Sequence, residues 1–238
     1  MCGIFGIIGN DQKKFSNLIY FSSLRGRDTL GINSFHGNSI QQYKKYGDPR
    51  KIIKKKSYLN FYNSNILNSK INIGTVRLAT HGLNIKENIQ PLNIGNLSLC
   101  LNGIIVNYEK IFPNLDNSKS DAYYLLNYIN TNTNIGKSII DIFEYLHKYV
   151  LGEYNIALYN KKENKIYFTS NTGSIYFTTD QNSFFVFASE KSFLMNITKN
   201  SKISRIKLNE VLKLNINNFN IDYIKKNNNS YQKNKKLN

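Results

Sequence analysis

Apolar positions along the chain switch between two periods. Residues 2–9, CGIFGIIG, form a nearly continuous apolar run with interspersed glycines, the pattern of a buried strand approached closely by other backbone. Over residues 13–24, Phe15, Leu18, Ile19 and Leu24 recur at helical spacing, and RGRDTLGIN then breaks that helix. INSFHG and SIQQYKKYG, on either side of Gly37 and Asn38, predict a hairpin. The lysine-rich residues 51–67 read as a surface helix or loop. INIGTVRLATHG begins as a strand and ends in a turn at Gly82, and LNIKENIQPLN is polar and loop-like. LSLCLNGIIVNY predicts a strand running into an Asn-Gly turn, followed by a short extended piece. Ser120 is placed to cap a helix over 121–128, with a second helix near 139–149. EYNIALYN, KIYFTSN and FFVFASE alternate as antiparallel strands, joined by turns at 161–164 and 180–183. Strands, then helices, then strands predict an α+β fold with antiparallel sheets. No repeat or linker divides residues 1–224, whereas 225–238, KKNNNSYQKNKKLN, have little to bury and are expected to form a disordered basic tail.

Composition narrows the function classes. The 238 residues suffice for a sizeable core. Lysine and arginine number 32 against 15 acidic residues, a net charge of +17 that would ordinarily point to nucleic acid. The lysines are scattered, however, among abundant asparagine and isoleucine. Arginine, the better fork for phosphate, occurs only at Arg25, Arg27, Arg50, Arg77 and Arg205. The charge is therefore read as a solvated surface, and a nucleic-acid partner is not expected. Two cysteines are too few for a disulfide framework, which favours a reducing cytoplasm, and no run of about 18 apolar residues predicts a membrane span.

One of those cysteines directly follows the initiating methionine. If Met1 is removed, Cys2 carries a thiol and a free α-amine on one residue. A thiol with a pKa near 8.5 is mostly protonated at neutral pH, and an α-amine titrating at about 7.7 to 8.0 is matched to take its proton. Taken alone, Cys2 could equally be a small buried apolar residue.

Further segments carry a resemblance. MCGIFGIIG, RGRDTLGI, VRLATHG, LNGIIVNYEKI, SDAYYLL, LGEYNIALYN and ASEKSFL resemble, in order, segments of the class II glutamine amidotransferases. These are the processed N-terminus, RGPDSxG, xRxAxxG, NGxIxN, SDxExxx, GxFAxxxxD and ASExKAL. Their glutaminase domain is an N-terminal nucleophile hydrolase, found at the N-terminus of asparagine synthetase and of glucosamine-6-phosphate synthase. The likeness covers residues 1–194 and weakens towards 215. It implies a four-layer α/β/β/α sandwich and hydrolysis of L-glutamine to glutamate and ammonia.

The resemblance also implies roles. Cys2 is the nucleophile. Asn102, through its side-chain amide, and Gly103, through its backbone N–H, form the oxyanion hole, although the pair alone reads first as a hairpin turn. Arg77 binds the substrate carboxylate and Asp121 its ammonium; their plainer readings are a surface ion pair and an acidic helix start. Arg25 and Gly26 shape the pocket, and Thr80 belongs to a loop, residues 80–84, that closes over glutamine. His81 is expected to be a loop residue. Arg27 departs from the family's proline, Leu78 from the tryptophan of the sugar-amidating branch and Ile104 from the glutamate frequent in asparagine synthetases, while His81 and Gly82 lean towards the sugar-amidating branch. No phosphate-binding glycine motif or cluster of metal ligands appears, so no cofactor is expected. The expectation is thus a stand-alone glutaminase passing ammonia to a separate synthase subunit. The alternative is a catalytically silent regulatory or glutamine-sensing subunit.

Overall fold

The computed structural model describes residues 2–78, 86–112, 118–198 and 201–225. In chain order the strands are β1 (Gly3–Gly9), β2 (Thr29–His36), β3 (Ser39–Tyr46), β4 (Ile71–Arg77), β5 (Leu92–Ile94), β6 (Leu97–Ile105) and β7 (Gly152–Asn160). They continue with β8 (Lys165–Ser170), β9 (Tyr176–Thr179), β10 (Phe184–Ala188), β11 (Ser204–Arg205), β12 (Val211–Asn215) and β13 (Ile221–Ile224). One sheet runs β11-β9-β10-β1-β4-β2-β3 and the other β13-β12-β8-β7-β6-β5, with antiparallel pairing throughout.

Strand alternation sorts the apolar side chains into three layers. From β1, Ile4 and Ile8 enter the space between the sheets, meeting Cys100 of β6, Ala157 of β7 and Phe168 of β8. Phe5 and Ile7 point the other way. They pack with α1 (Phe15–Ser22), α2 (Pro49–Ile52), α3 (Lys56–Phe61) and, later in the chain, a helix over Lys191–Met195. On the far side, Leu99 and Leu101 of β6 and Ile156 and Leu158 of β7 pack against three further helices. These are α4 (Tyr108–Ile111), α5 (Asp121–Asn134) and α6 (Ile139–Tyr149), so the helix over 191–195 is α7. The result is the expected four-layer α/β/β/α sandwich. Each fully buried Phe or Ile contributes about 1.5–3 kcal/mol relative to exposure.

The β2–β3 hairpin forms with Gly37 at φ +55°, and Ser120 and Ser138 cap α5 and α6. Other expectations change. Residues 51–67 are no mere surface element, because Ile52, Tyr58 and Ile66 are fully buried and Tyr58 Oη bonds Ser16 Oγ at 2.8 Å. The polar-looking residues 88–92 are buried, and Gln90 joins the sheets: Thr75 Oγ1 donates to its carbonyl at 2.7 Å, and its Oε1 accepts Leu101 N–H at 2.6 Å. The turn at 180–183 connects β9, which alternation did not reveal, to β10. β10 therefore lies in the opposite sheet from β7 and β8. The expected turn at Gly82 and the tail from 226 onward lie outside the described residues. Among the described residues, no helix is long and apolar enough to cross a membrane.

Candidate active site

Antiparallel pairing alone brings the first two candidates together. Gly3 at the start of β1 pairs with Val76 near the end of β4, so the next residues outward, Cys2 and Arg77, emerge side by side. Cys2 is half-buried and Arg77 is buried. Arg25 follows α1, and its Nε donates to the Cys2 carbonyl at 3.0 Å while its guanidinium pairs with Glu190. Gly26 is required beside it, since a Cβ there would lie 2.5 Å from the Arg77 carbonyl carbon and 2.7 Å from Leu78 N. Arg27, where the family pattern has proline, is exposed.

Asn102 and Gly103 come from the other sheet. They do not form a turn: β6 runs through both, with Asn102 opposite Asn155 and Gly103 opposite Tyr154. The strand continues because residue 103 is glycine, at φ +151°, where a Cβ would sit 1.9 Å from the Glu153 carbonyl oxygen. Asn102 is buried and held at both ends. Asn155 Nδ2 donates to its carbonyl at 3.0 Å, and its own Nδ2 donates to Ser189 Oγ at 3.4 Å.

Asp121 is the first residue of α5. Its Oδ2 accepts Ile105 N–H from the end of β6 at 3.0 Å, and its Oδ1 accepts Ala122 N–H at 2.8 Å. The carboxylate therefore fastens the helix to β6 at the helix end where a negative charge is favoured. The expected role of acidic helix start is real, and it leaves the charge close enough to act on Cys2.

Burial pushes the Cys2 thiol above its ordinary value; Arg77 and Arg25 pull it down and Asp121 pushes it up. The thiol, two cations and a carboxylate thus share one electrostatic neighbourhood. Thr80, with the loop over 80–84, lies outside the described residues. Among the described residues, no group of three or more His, Cys, Asp or Glu is arranged to hold a metal ion.

Three buried or half-buried polar residues were not singled out from the sequence: Asn155, Ser189 and Glu190. Asn155 Oδ1 collects Ser170 Oγ at 2.5 Å, Thr172 Oγ1 at 2.9 Å and Ser174 N–H at 2.9 Å. The signal was present, because Asn155 stands where the GxFAxxxxD pattern has alanine, and Ser189 and Glu190 form the SE of ASEKSFL.

A family model described as a glutamine amidotransferase domain matches residues 62–234. The glutamine–fructose-6-phosphate aminotransferase (isomerizing) of Helicobacter pylori is 30% identical over 185 residues, covering 72% of this chain and 30% of that protein. The amidophosphoribosyltransferase of Methanocaldococcus jannaschii is 31% identical over 124 residues, covering 49% of this chain and 25% of its own length. The chain thus spans less than a third of the length of either relative. A solved structure described as the allosteric regulatory enzyme of purine biosynthesis superposes with a TM-score of 0.73 at 21% identity, covering 94% of this chain and 48% of its own. At that identity the likeness establishes the fold.

Proposed function

Because the chain belongs to the class II glutamine amidotransferase family, we propose that it hydrolyses L-glutamine to glutamate and ammonia with Cys2 as N-terminal nucleophile. The observation that carries this reading is that Arg77 emerges beside Cys2 from the paired strand and Asp121 lies within electrostatic reach of its thiol, one charge for each end of glutamine's amino-acid group. In the reaction, removal of Met1 frees the α-amine, which takes the thiol proton. The thiolate attacks the amide carbon, and the Asn102 amide and Gly103 N–H stabilise the resulting oxyanion. The C–N bond breaks as the α-ammonium returns the proton to the departing ammonia. Water then cleaves the γ-glutamyl thioester, releasing glutamate and restoring the thiol.

Thr80 and its loop close over glutamine in this reading, and Arg25 holds the backbone of the nucleophile. Residues 1–224 form the catalytic body and 225–238 a basic tail. Ammonia is consumed by a separate synthase subunit, most simply an ATP-dependent amidating one of the asparagine-synthetase type, in a reducing cytoplasm. The partner reading rests on QPL, NGIIVNY and ASEKSFL, which lean towards the asparagine-synthetase segments.

Release of glutamate and ammonia from L-glutamine by the purified chain tests the proposal. Turnover by wild type and none by Cys2→Ala is expected. Equal release by both, or glutamine binding without hydrolysis as in a silent sensor, contradicts it. Recovery of a synthase by pull-down, with kcat raised on its addition, is the expected result for the partner. Full turnover without any partner contradicts that part alone.

A further inference from the structure

This inference rests on the glutaminase reading above. We infer that Ser189 is a positioning residue that sets which face of the Asn102 carboxamide meets the substrate. Ser189 is fully buried and lies one residue beyond β10. Its backbone N–H donates to the Ile4 carbonyl at 3.0 Å, and its Oγ accepts Ile4 N–H at 2.9 Å. The hydroxyl therefore completes the β1–β10 ladder in place of a backbone carbonyl, two residues from Cys2.

That arrangement leaves a defined use for the rest of the hydroxyl. The Ile4 carbonyl, which also accepts Ser189 N–H, lies 3.4 Å from Oγ as the acceptor for its proton, and one lone pair is already engaged by Ile4 N–H. The remaining lone pair faces Asn102, whose Nδ2 lies 3.4 Å off on the opposite sheet. A hydroxyl used in this way can only accept from Asn102. The amide nitrogen is thus turned towards Ser189 and the site, and the amide oxygen is turned away.

The consequence for catalysis is large for so long a bond. A carboxamide flipped by 180° has nearly the same shape but presents an oxygen where a donor is needed, repelling the developing oxyanion instead of stabilising it. Asn155 Nδ2 holds the Asn102 backbone carbonyl, whereas the Asn102 side-chain amide donates to Ser189, so the choice of face falls to Ser189. The adjoining Glu190 pairs with Arg25, which holds the Cys2 carbonyl. Two consecutive residues after β10 thereby register the nucleophile against the oxyanion donor.

A double-mutant cycle on the full chain tests this. Ser189→Ala should lower kcat for glutamine about tenfold with KM changed less than about twofold, because the interaction governed is made in the transition state. Ser189→Thr, which keeps Oγ, should restore most of kcat. In an Asn102→Ala background, Ser189→Ala should cost no further kcat, since Ser189 acts through that amide. Iodoacetamide labelling of Cys2 at the wild-type rate would show an intact nucleophile strand. An equal kcat loss in both backgrounds, or no loss in either, overturns the inference. Should Ser189→Ala fail to fold, Ser189→Cys fills the space with a weaker acceptor, and an unchanged kcat in that variant overturns it equally. Absence of glutamine turnover in wild type would instead refute the reading on which the inference rests.

Discussion

The two cysteines belong to opposite sheets, Cys100 within β6 and Cys2 just ahead of β1, and their surroundings divide the molecule into two chemical regions. Cys100 lies within β6, fully buried between the sheets, and burial pushes its thiol far up with only Lys44 opposing. Cys2 lies just ahead of β1, where Arg77, Asp121 and Arg25 all act on its thiol. Asn102 makes the transition visible: it shares a face of β6 with Cys100, two residues further towards the Cys2 end. One strand face thus changes from apolar packing to polar chemistry over a single repeat of its alternation. Burial raises both thiols, and the charges beside one of them create the difference between a packing residue and a candidate nucleophile.

The largest expected effect is a direct exchange of the two. Cys2→Ala should abolish glutamine turnover, whereas Cys100→Ala should keep kcat within about twofold while losing about 1–2 kcal/mol in denaturant unfolding. Loss of turnover in Cys100→Ala would break the comparison. Next in size, Asn102→Ala should lower kcat by about 10²-fold to 10³-fold with KM nearly constant, whereas Asp121→Ala should mainly raise KM. Steady-state kinetics that showed the reverse split would reassign both residues.

Thiol labelling sharpens the contrast without using turnover. With Met1 retained, iodoacetamide should label native Cys2 at a rate still rising past pH 9, because its folded pKa is raised above 9.0, while Cys100 stays protected until unfolding. The smallest effect extends the same rule to His147. Burial lowers its pKa to about 4 from 6.5. Its Nδ1 meets Tyr154 Oη at 2.6 Å and its Nε2 meets Thr169 Oγ1 at 2.9 Å. Between pH 6.5 and about 4 the unfolded chain binds the extra proton, so stability should fall as pH drops through that window. Melting temperatures measured from pH 7 to 4 should decline less steeply in His147→Gln; parallel curves would remove His147 from the account.

Legibility in the sequence followed the range of the physics involved. Ser120 announces its helix because capping is local, and Gly37 announces its hairpin because the turn needs a positive φ. The Asn102-Gly103 pair misleads for the converse reason: the same glycine serves a strand approached by the Glu153 carbonyl, a contact 50 residues away. Gln90 looks like loop polarity until Thr75 and Leu101, from different sheets, are seen to share it. β9 and β11 are too short for alternation to reveal, and they are held by register against β10 and each other. The candidates Cys2, Arg77, Asn102, Gly103 and Asp121 are read from motifs. Ser189 and Asn155 act by holding other residues, and nothing in their local pattern states whom they hold.

The central claim, that Cys2 is an N-terminal nucleophile for glutamine, is tested most directly by peptide mass mapping after inactivation with a diazo-ketone glutamine analogue. The account predicts a single adduct on Cys2, on a peptide that begins with Cys2 and lacks Met1, formed in proportion to lost glutaminase activity. Adduct at Cys100, or full glutamine hydrolysis by chains that retain Met1 and carry no adduct, would contradict it.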